Sequence, residues 1–224
     1  MIHIIPILKD NYAYVVQGAE NECVIIDAGE FAPVFQFIKE NDLNPTAILS
    51  THHHGDHIGG NSELVKIFNI PVFSGSFQND EIVQAGISFK VIATPGHTKE
   101  HVVFYAADLN ALFSGDTLFS MGCGRLLNGT AAEMFESLQK IKLLPPQTQI
   151  YCGHEYTKSN GEFALHVDPD NSDTRSRMNE VIRLRDQNTP TLPVSLGIEF
   201  KTNPFLRAKD VTEFAELRRK KDNF

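Results

Sequence analysis

The sequence predicts an α/β fold in which sheets are covered by helices, followed by a smaller helical region. Three observations predict it. Short apolar, β-branched stretches alternate with segments of helical periodicity along the first two thirds of the chain. Turn signals close most of the strand-like stretches. From about residue 157 the pattern is helical, interrupted by DPDN and by the proline-bearing TPTLPVSLG. Residues 1–166 are therefore assigned to the α/β core and 167–224 to the helical region.

The elements follow in order. IHIIPI (2–7), YAYVV (12–16) and CVIID (23–27) read as strands, and PVFQFIKEN as a helix with apolar positions 34, 35 and 38. TAILS (46–50) is a buried strand that delivers the chain into a histidine-rich loop, and GGNSELVKIFN is a helix ending before Pro71. Strands are expected at about 87–93, 101–106 and 111–114. TAAEMFESLQKI (130–141) is a helix with Thr130 as N-cap and Glu133 completing a capping box. TQIYC (148–152) is the last clear strand. This alternation implies layered sheets and helices.

Bulk properties narrow the function classes. The 224 residues are 42% hydrophobic and 21% charged, ordinary values for a globular chain. A net charge of −8 argues against a nucleic-acid partner, because phosphate neutralisation needs a broad basic surface. The start, MIHIIPILKDNY, has no basic segment and meets a proline early, unlike a signal peptide. No apolar run approaches the ~20 residues of a membrane helix. Three cysteines, Cys23, Cys123 and Cys152, fit a reducing compartment better than a disulfide framework. The expectation is a cytoplasmic monomer with neither membrane nor nucleic-acid partners. The basic run RRKK at 218–221 stands out against the acidic background.

The chemistry concentrates in THHHGDH, residues 51–57, which holds four of the nine histidines. In an extended segment alternate side chains share a side, so His52 and His54 point one way and His53 the other. A turn permitted by Gly55 then brings Asp56 and His57 to a neighbouring position. Two metal ions side by side suit this arrangement, with His52 and His54 on one and Asp56 and His57 on the other; a single tetrahedral ion cannot take them all. Further candidate ligands each sit in a turn after an apolar strand: His97 in ATPGHT, Asp116 in LFSGDT and His154 in IYCGHE. Imidazole with carboxylate suits zinc first, with iron or manganese as alternatives. Asp116, with two oxygens, is placed to bridge both ions.

HxHxDH followed by separate GH, GD and GH turns resembles the metallo-β-lactamase superfamily, whose fold is an αββα sandwich. THHHGDHIGGN, TPGHTKEH, FSGDTLFSMGCGRLLNGT, CGHEYT and NPFLR narrow the resemblance to glyoxalase II, the hydroxyacylglutathione hydrolases, over nearly the full length. That resemblance implies His52, His54 and His97 on one metal, Asp56, His57 and His154 on the other, and Asp116 between them. It implies that Asp56 also orients the attacking hydroxide. Arg125, Tyr156, Asn160, Arg218 and Lys221 match positions that contact glutathione. Leu127 departs from the pattern, since some members carry an aromatic residue there. The implied substrate is S-D-lactoylglutathione, cleaved to glutathione and D-lactate in the second step of methylglyoxal detoxification.

Residue chemistry supports a thioester. A thiolate whose conjugate acid has a pKa near 8.5 leaves with little help from a general acid, unlike an amide nitrogen. Glutathione's carboxylates suit the three cations. The alternatives are a lactonase, β-lactamase or phosphodiesterase on the same site, a mononuclear iron persulfide dioxygenase, and a non-catalytic metal-binding module. His3, His53, His101 and His166 are read as imidazoles without metal, and Cys123 and Cys152 as small buried hydrophobes.

Overall fold

The computed structural model describes residues 1–75 and 80–224. The first half of the chain builds one sheet from β1 (Ile2–Ile7), β2 (Asn11–Gln17), β3 (Glu22–Ile26), β4 (Asn44–Ser50) and β5 (Val72–Ser74), in that order across the sheet. Helices α1 (Phe31–Glu40), α2 (Gly55–Ile58) and α3 (Asn61–Phe68) lie between its strands in sequence. The chain then forms β6 (Glu81–Gln84), β7 (Ile87–Ala93), β8 (Val102–Ala106) and β9 (Ala111–Gly115). A ribbon of β10 (Leu118–Phe119) and β11 (Gly122–Cys123) follows, then α4 (Ala131–Lys142) and β12 (Gln149–Cys152). Helices α5 (Thr157–Val167) and α6 (Ser172–Asp186) precede β13 (Val194–Ser195). Helices α7 (Leu196–Thr202), α8 (Pro204–Arg207) and α9 (Val211–Asp222) complete the chain. The second sheet has the order β13-β12-β9-β8-β7-β6.

The sheets meet through alternating side chains. Tyr14, Val16, Val24 and Ile26 enter the core between the sheets, where the Tyr14 and Phe113 rings stand 5.5 Å apart. The intervening Ala13, Val15, Cys23 and Ile25 pack instead with Val34 and Ile38 of α1 and Leu64 of α3. Both faces of these strands are buried, which is why they read as continuous apolar runs rather than as alternation. On the far side α4 lies along the second sheet, with Lys140 Nζ donating to the Ala93 carbonyl at 2.8 Å. Helix, sheet, sheet, helix is the αββα order that the family resemblance implied.

Local signals worked where they were strong. Thr130 accepts from Glu133 N–H at 3.2 Å, and Glu133 accepts from Thr130 N–H at 2.7 Å, the expected capping box. Helix α3 ends on Asn69 in the left-handed conformation (φ 53°) two residues before Pro71. Short strands escaped the sequence reading: β5, β6, β10, β11 and β13 span two to four residues each, too few for a period to register. The segment TPTLPVSLG, read as an interruption, holds β13, which pairs with β12, and Ser195, which caps α7.

Gly55 needs a correction. It opens α2 with open space around the position of an added Cβ, so no crowding requires glycine there. The single helical turn of α2 is what rotates Asp56 and His57 away from His54.

Candidate metal centre and substrate cleft

The loops after β4, β7, β9 and β12 gather at one edge of the two sheets. They bring all seven predicted ligand side chains together. His52 Nε2 lies 2.9 Å from His54 Nδ1, and His97 Nε2 lies 3.1 Å from the same atom. His154 Nε2 approaches Asp56 Oδ2 at 3.4 Å, and His57 Nε2 stands 3.7 Å from it. Asp116 lies between the groups, 3.3 Å from His57 Nε2, 3.5 Å from His97 Nε2 and 3.5 Å from His154 Nε2. His53 is exposed and points away.

Two glycines make this convergence possible. An added Cβ on Gly115 (φ 47°) falls 2.4 Å from Thr51 Oγ1, and one on Gly153 falls 2.6 Å from both Asp116 Oδ1 and His57 Cε1. The glycines before Asp116 and His154 are therefore packing requirements of the cluster.

A second set of groups fixes the imidazoles. His57 Nδ1 lies 3.0 Å from Asp27 Oδ2, His154 Nδ1 3.0 Å from Asp10 Oδ1, and His97 Nδ1 2.8 Å from the Arg125 carbonyl. These partners only accept, so each Nδ1 carries a proton and each Nε2 is turned into the cluster, where it becomes a ligand atom once its own proton is released as a cation binds. Thr51 donates to Asp27 Oδ2 and faces His52 Nδ1 at 3.0 Å, which gives His52 the same tautomer. His54 is the exception and presents Nδ1. Asn11 Nδ2 donates to Asp56 Oδ2 at 2.9 Å. His101 accepts from Asp116 N–H at 3.1 Å and stacks on His52, so this residue positions two members of the cluster.

Electrostatics describe a centre built for positive charge. Burial disfavours a charged His57, yet Asp116 and Asp27 outweigh it and hold its pKa well above the ordinary value. The same contest, won by Asp116 and Asp56, pushes His154 up to about 10. Burial together with His57 and His101 lowers His52. Burial alone would raise Asp116, but His57 and His154 hold it well below the carboxylate range. His57 Nε2 and Asp116 Oδ1 are buried without hydrogen-bond partners. Nitrogen and oxygen donors arranged in this way fit divalent cations.

The predicted substrate residues line a cleft of about 740 Å³ that opens at His97 and Asp116. Arg125 is exposed on its wall. The Tyr156 ring lies flat on His154, centroids 4.5 Å apart and 9° from parallel, and Leu127 is 60% exposed at the rim. Asn160 is buried and its amide donates to the Ser120 carbonyl at 3.1 Å. Arg218 is also buried: it donates to the Cys123 carbonyl at 2.8 Å, pairs with Asp222 at 2.8 Å and lies over the Phe205 ring. Lys221 reaches the Ser159 carbonyl at 3.0 Å and lies over Phe163 and Phe224. Arg219 and Lys220, the other half of RRKK, are solvated.

Sequence reasoning missed Asp10, Asn11 and Asp27, and gave His101 no role. The available signal was position: Asp27 directly follows β3 at the edge where the ligand loops gather, Asp10 lies in the turn between β1 and β2, and Asn11 opens β2.

A family model described as the metallo-beta-lactamase superfamily matches residues 8–77 and 76–154, and one described as the hydroxyacylglutathione hydrolase C-terminus matches 155–224. The hydroxyacylglutathione hydrolase of Xanthomonas euvesicatoria pv. vesicatoria is 42% identical over 250 residues, covering 98% of this chain and 97% of its own. This chain belongs to the hydroxyacylglutathione hydrolase family. The Vibrio campbellii hydroxyacylglutathione hydrolase is 44% identical, over 92% of this chain and 86% of that one. Among solved structures, the BLEG-1 B3 metallo-beta-lactamase superposes with a TM-score of 0.74 at 25% identity, covering 93% of this chain and 100% of its own. These matches join the two halves of the family in one chain, and the αββα core with its C-terminal helices is the fold they share.

Proposed function

We propose that this family member hydrolyses the thioester bond of S-(2-hydroxyacyl)glutathiones, S-D-lactoylglutathione among them, releasing glutathione and D-lactate as the second step of methylglyoxal degradation. The observation that carries the reading is the convergence of seven metal-binding side chains at the mouth of a cleft walled by cations. His52, His54 and His97 would hold one divalent ion and Asp56, His57 and His154 the other, with Asp116 shared. Zinc is the first choice, with iron or manganese as alternatives. When bound, such a pair supplies hydroxide at neutral pH and polarises the acyl oxygen.

The chain's own residues do the rest. Asp56, held by Asn11, orients the nucleophile. Asp10 and Asp27 keep His154 and His57 in the ligating tautomer, and Gly115 and Gly153 let the loops close. Arg125, Lys221 and Arg218 give the glutathione carboxylates opposite charge, and Tyr156 with Asn160 borders the carrier between them. The leaving thiolate needs little protonation, consistent with a cleft that offers cations rather than a general acid. Residues 1–166 supply the metal centre, and 167–224 bring Arg218 and Lys221 to the carrier. We read the protein as a cytoplasmic monomer.

The test is a parallel assay of S-D-lactoylglutathione, a β-lactam and a lactone, with metal analysis on the same preparation. Thioester hydrolysis with about two ions per chain is expected. Turnover of the β-lactam or lactone alone would refute the assignment, and one ion per chain would point to the dioxygenase instead.

A further inference from the structure

The five residues from Phe119 to Cys123 are bonded almost one by one to side chains of the C-terminal helices. Asn203 Nδ2 reaches the Phe119 and Gly122 carbonyls at 3.2 and 3.0 Å, and Asn160 Nδ2 the Ser120 carbonyl at 3.1 Å. Ser120 Oγ donates to Glu199 Oε1 at 3.0 Å, and Met121 N–H to Glu199 Oε2 at 2.7 Å. Arg218 binds the Cys123 carbonyl. Asn203 Nδ2 also donates to Glu199 at 2.9 Å, which ties the carboxylate to the carbonyl clamp.

The hairpin cannot hold this shape alone. Its ladder is two residue pairs, and an isolated two-stranded ribbon is marginal. Met121 adopts φ 54°, a left-handed conformation that a non-glycine residue keeps only when its surroundings impose it. Glu199 is fully buried, and burying a carboxylate is costly unless its bonds are used. Its three donors all belong to the hairpin or to Asn203.

The hairpin connects Asp116 to Arg125, and the two ends differ in how else they are held. Asp116 is fixed through its own N–H to His101, and the preceding Gly115 carbonyl accepts from Gly153 N–H at 2.9 Å. Arg125 is held at its carbonyl by His97, while its side chain is exposed. With the Arg125 carbonyl still held by His97, a loosened hairpin therefore shifts the exposed Arg125 side chain, and the Cys123 carbonyl that docks Arg218, before it displaces Asp116 or His97. We propose that Glu199, working through Asn203, is a positioning residue for the glutathione end of the substrate, remote from the reacting bond. The inference deepens the function proposed above and rests on it.

The test uses the full-length metal-loaded enzyme with two thioesters of the same acyl group: S-D-lactoylglutathione and S-D-lactoyl-N-acetylcysteamine, whose carrier is neutral. In Glu199→Gln an amide N–H replaces one acceptor; Ser120 Oγ can turn to accept from it, but then the Ser120 hydroxyl proton, or otherwise the Met121 N–H, is left without an acceptor. KM for the glutathione thioester should rise about tenfold with kcat unchanged, the scale of one lost buried hydrogen bond. For the neutral thioester, kcat/KM should change less than twofold, as should metal per chain. Equal losses on both thioesters, or losses that track metal content, would reduce Glu199 to a fold-stabilising residue. Should Glu199→Gln not fold, Ser120→Ala removes a single donor and should shift the same KM in the same direction by a smaller factor; an unmoved KM overturns the proposal. A wild type indifferent to the carrier would overturn the glutathione reading and this inference with it. A wild type that prefers glutathione, paired with an unchanged Glu199→Gln, would overturn only the positioning role.

Discussion

Asp27 Oδ2 stands 3.0 Å from His57 Nδ1 and 2.8 Å from Thr51 Oγ1, and Thr51 in turn faces His52 Nδ1. One buried carboxylate thus orients two imidazoles of the candidate metal cluster. Asp27→Asn replaces an acceptor with an amide able to present an N–H to His57, favouring the wrong tautomer. Metal affinity should fall 10- to 100-fold, the usual effect of losing such a partner. Competition with a chromophoric chelator measures it, and wild-type affinity in the variant would show that His57 is oriented by other contacts.

Removing the metals should cost the fold the stability that binding to the cluster confers. Asp56 and Asp116 lie within hydrogen-bonding range of the histidines around them, and His57 Nε2 lacks a partner. Binding to the folded state alone stabilises by about 2.7 kcal/mol at a ligand concentration 100 times Kd. Exhaustive chelation is therefore expected to lower Tm by several degrees, and added zinc to restore it. His54→Ala should abolish hydrolysis, lower metal content and blunt this response. A Tm indifferent to chelator would contradict a resident metal pair.

How much of this was legible in the sequence depends on the range of each signal. The clustering of the seven candidate ligands was legible because HxHxDH and the GH and GD turns are local patterns, and close packing forces glycine before Asp116 and His154. Asp10 and Asp27 were not, because a carboxylate that bonds an imidazole 30 or more positions away leaves no periodic trace. Arg218 was legible as a cation near the site but not as a buried one: its pairing with Asp222 and its seat on Phe205 depend on how α9 docks. Sheets covered by helices followed from apolar runs such as those in β2 to β4 and the αββα order from the family resemblance, while β13 was lost because two residues after a proline and at a helix cap carry no pattern.

Stability should fall across the neutral range because of Glu199. Burial raises its pKa from 4.5 to about 7 against the opposing hydrogen bonds from Asn203, Met121 and Ser120 and the nearby Arg177. The folded protein therefore holds this proton more tightly than the unfolded chain. The associated stability is fully present below pH 4.5 and is lost as pH rises through 7, on the order of 3 kcal/mol in all. Urea denaturation of wild type and Glu199→Gln at several pH values separates this contribution from the titrating histidines. The difference between the two proteins should vary with pH between 4.5 and 7 and level off below; a constant difference would show that Glu199 does not titrate there.

Three cations face the cleft, and the structure predicts that they fail differently. Arg125 is exposed, so Arg125→Ala should leave stability within about 0.5 kcal/mol of wild type. Its effect should be confined to substrate, with KM for a glutathione thioester rising about tenfold, the scale of one charge-assisted contact. Lys221 is half-buried against Phe163 and Phe224, and its amine bonds the Ser159 carbonyl, so Lys221→Ala should show the same KM effect with a modest stability loss. Arg218 is different. Its removal strips the Cys123 carbonyl of its donor and leaves Asp222 without its partner, so Arg218→Ala should raise KM and also cost about 2 kcal/mol of stability. All three should act far more weakly on a neutral thioester. Steady-state kinetics on the two thioesters, with urea denaturation of each variant, separates the cases. An Arg218→Ala protein as stable as wild type would contradict the buried clamp, and equal effects on both thioesters would leave the basic tail without a part in binding the carrier.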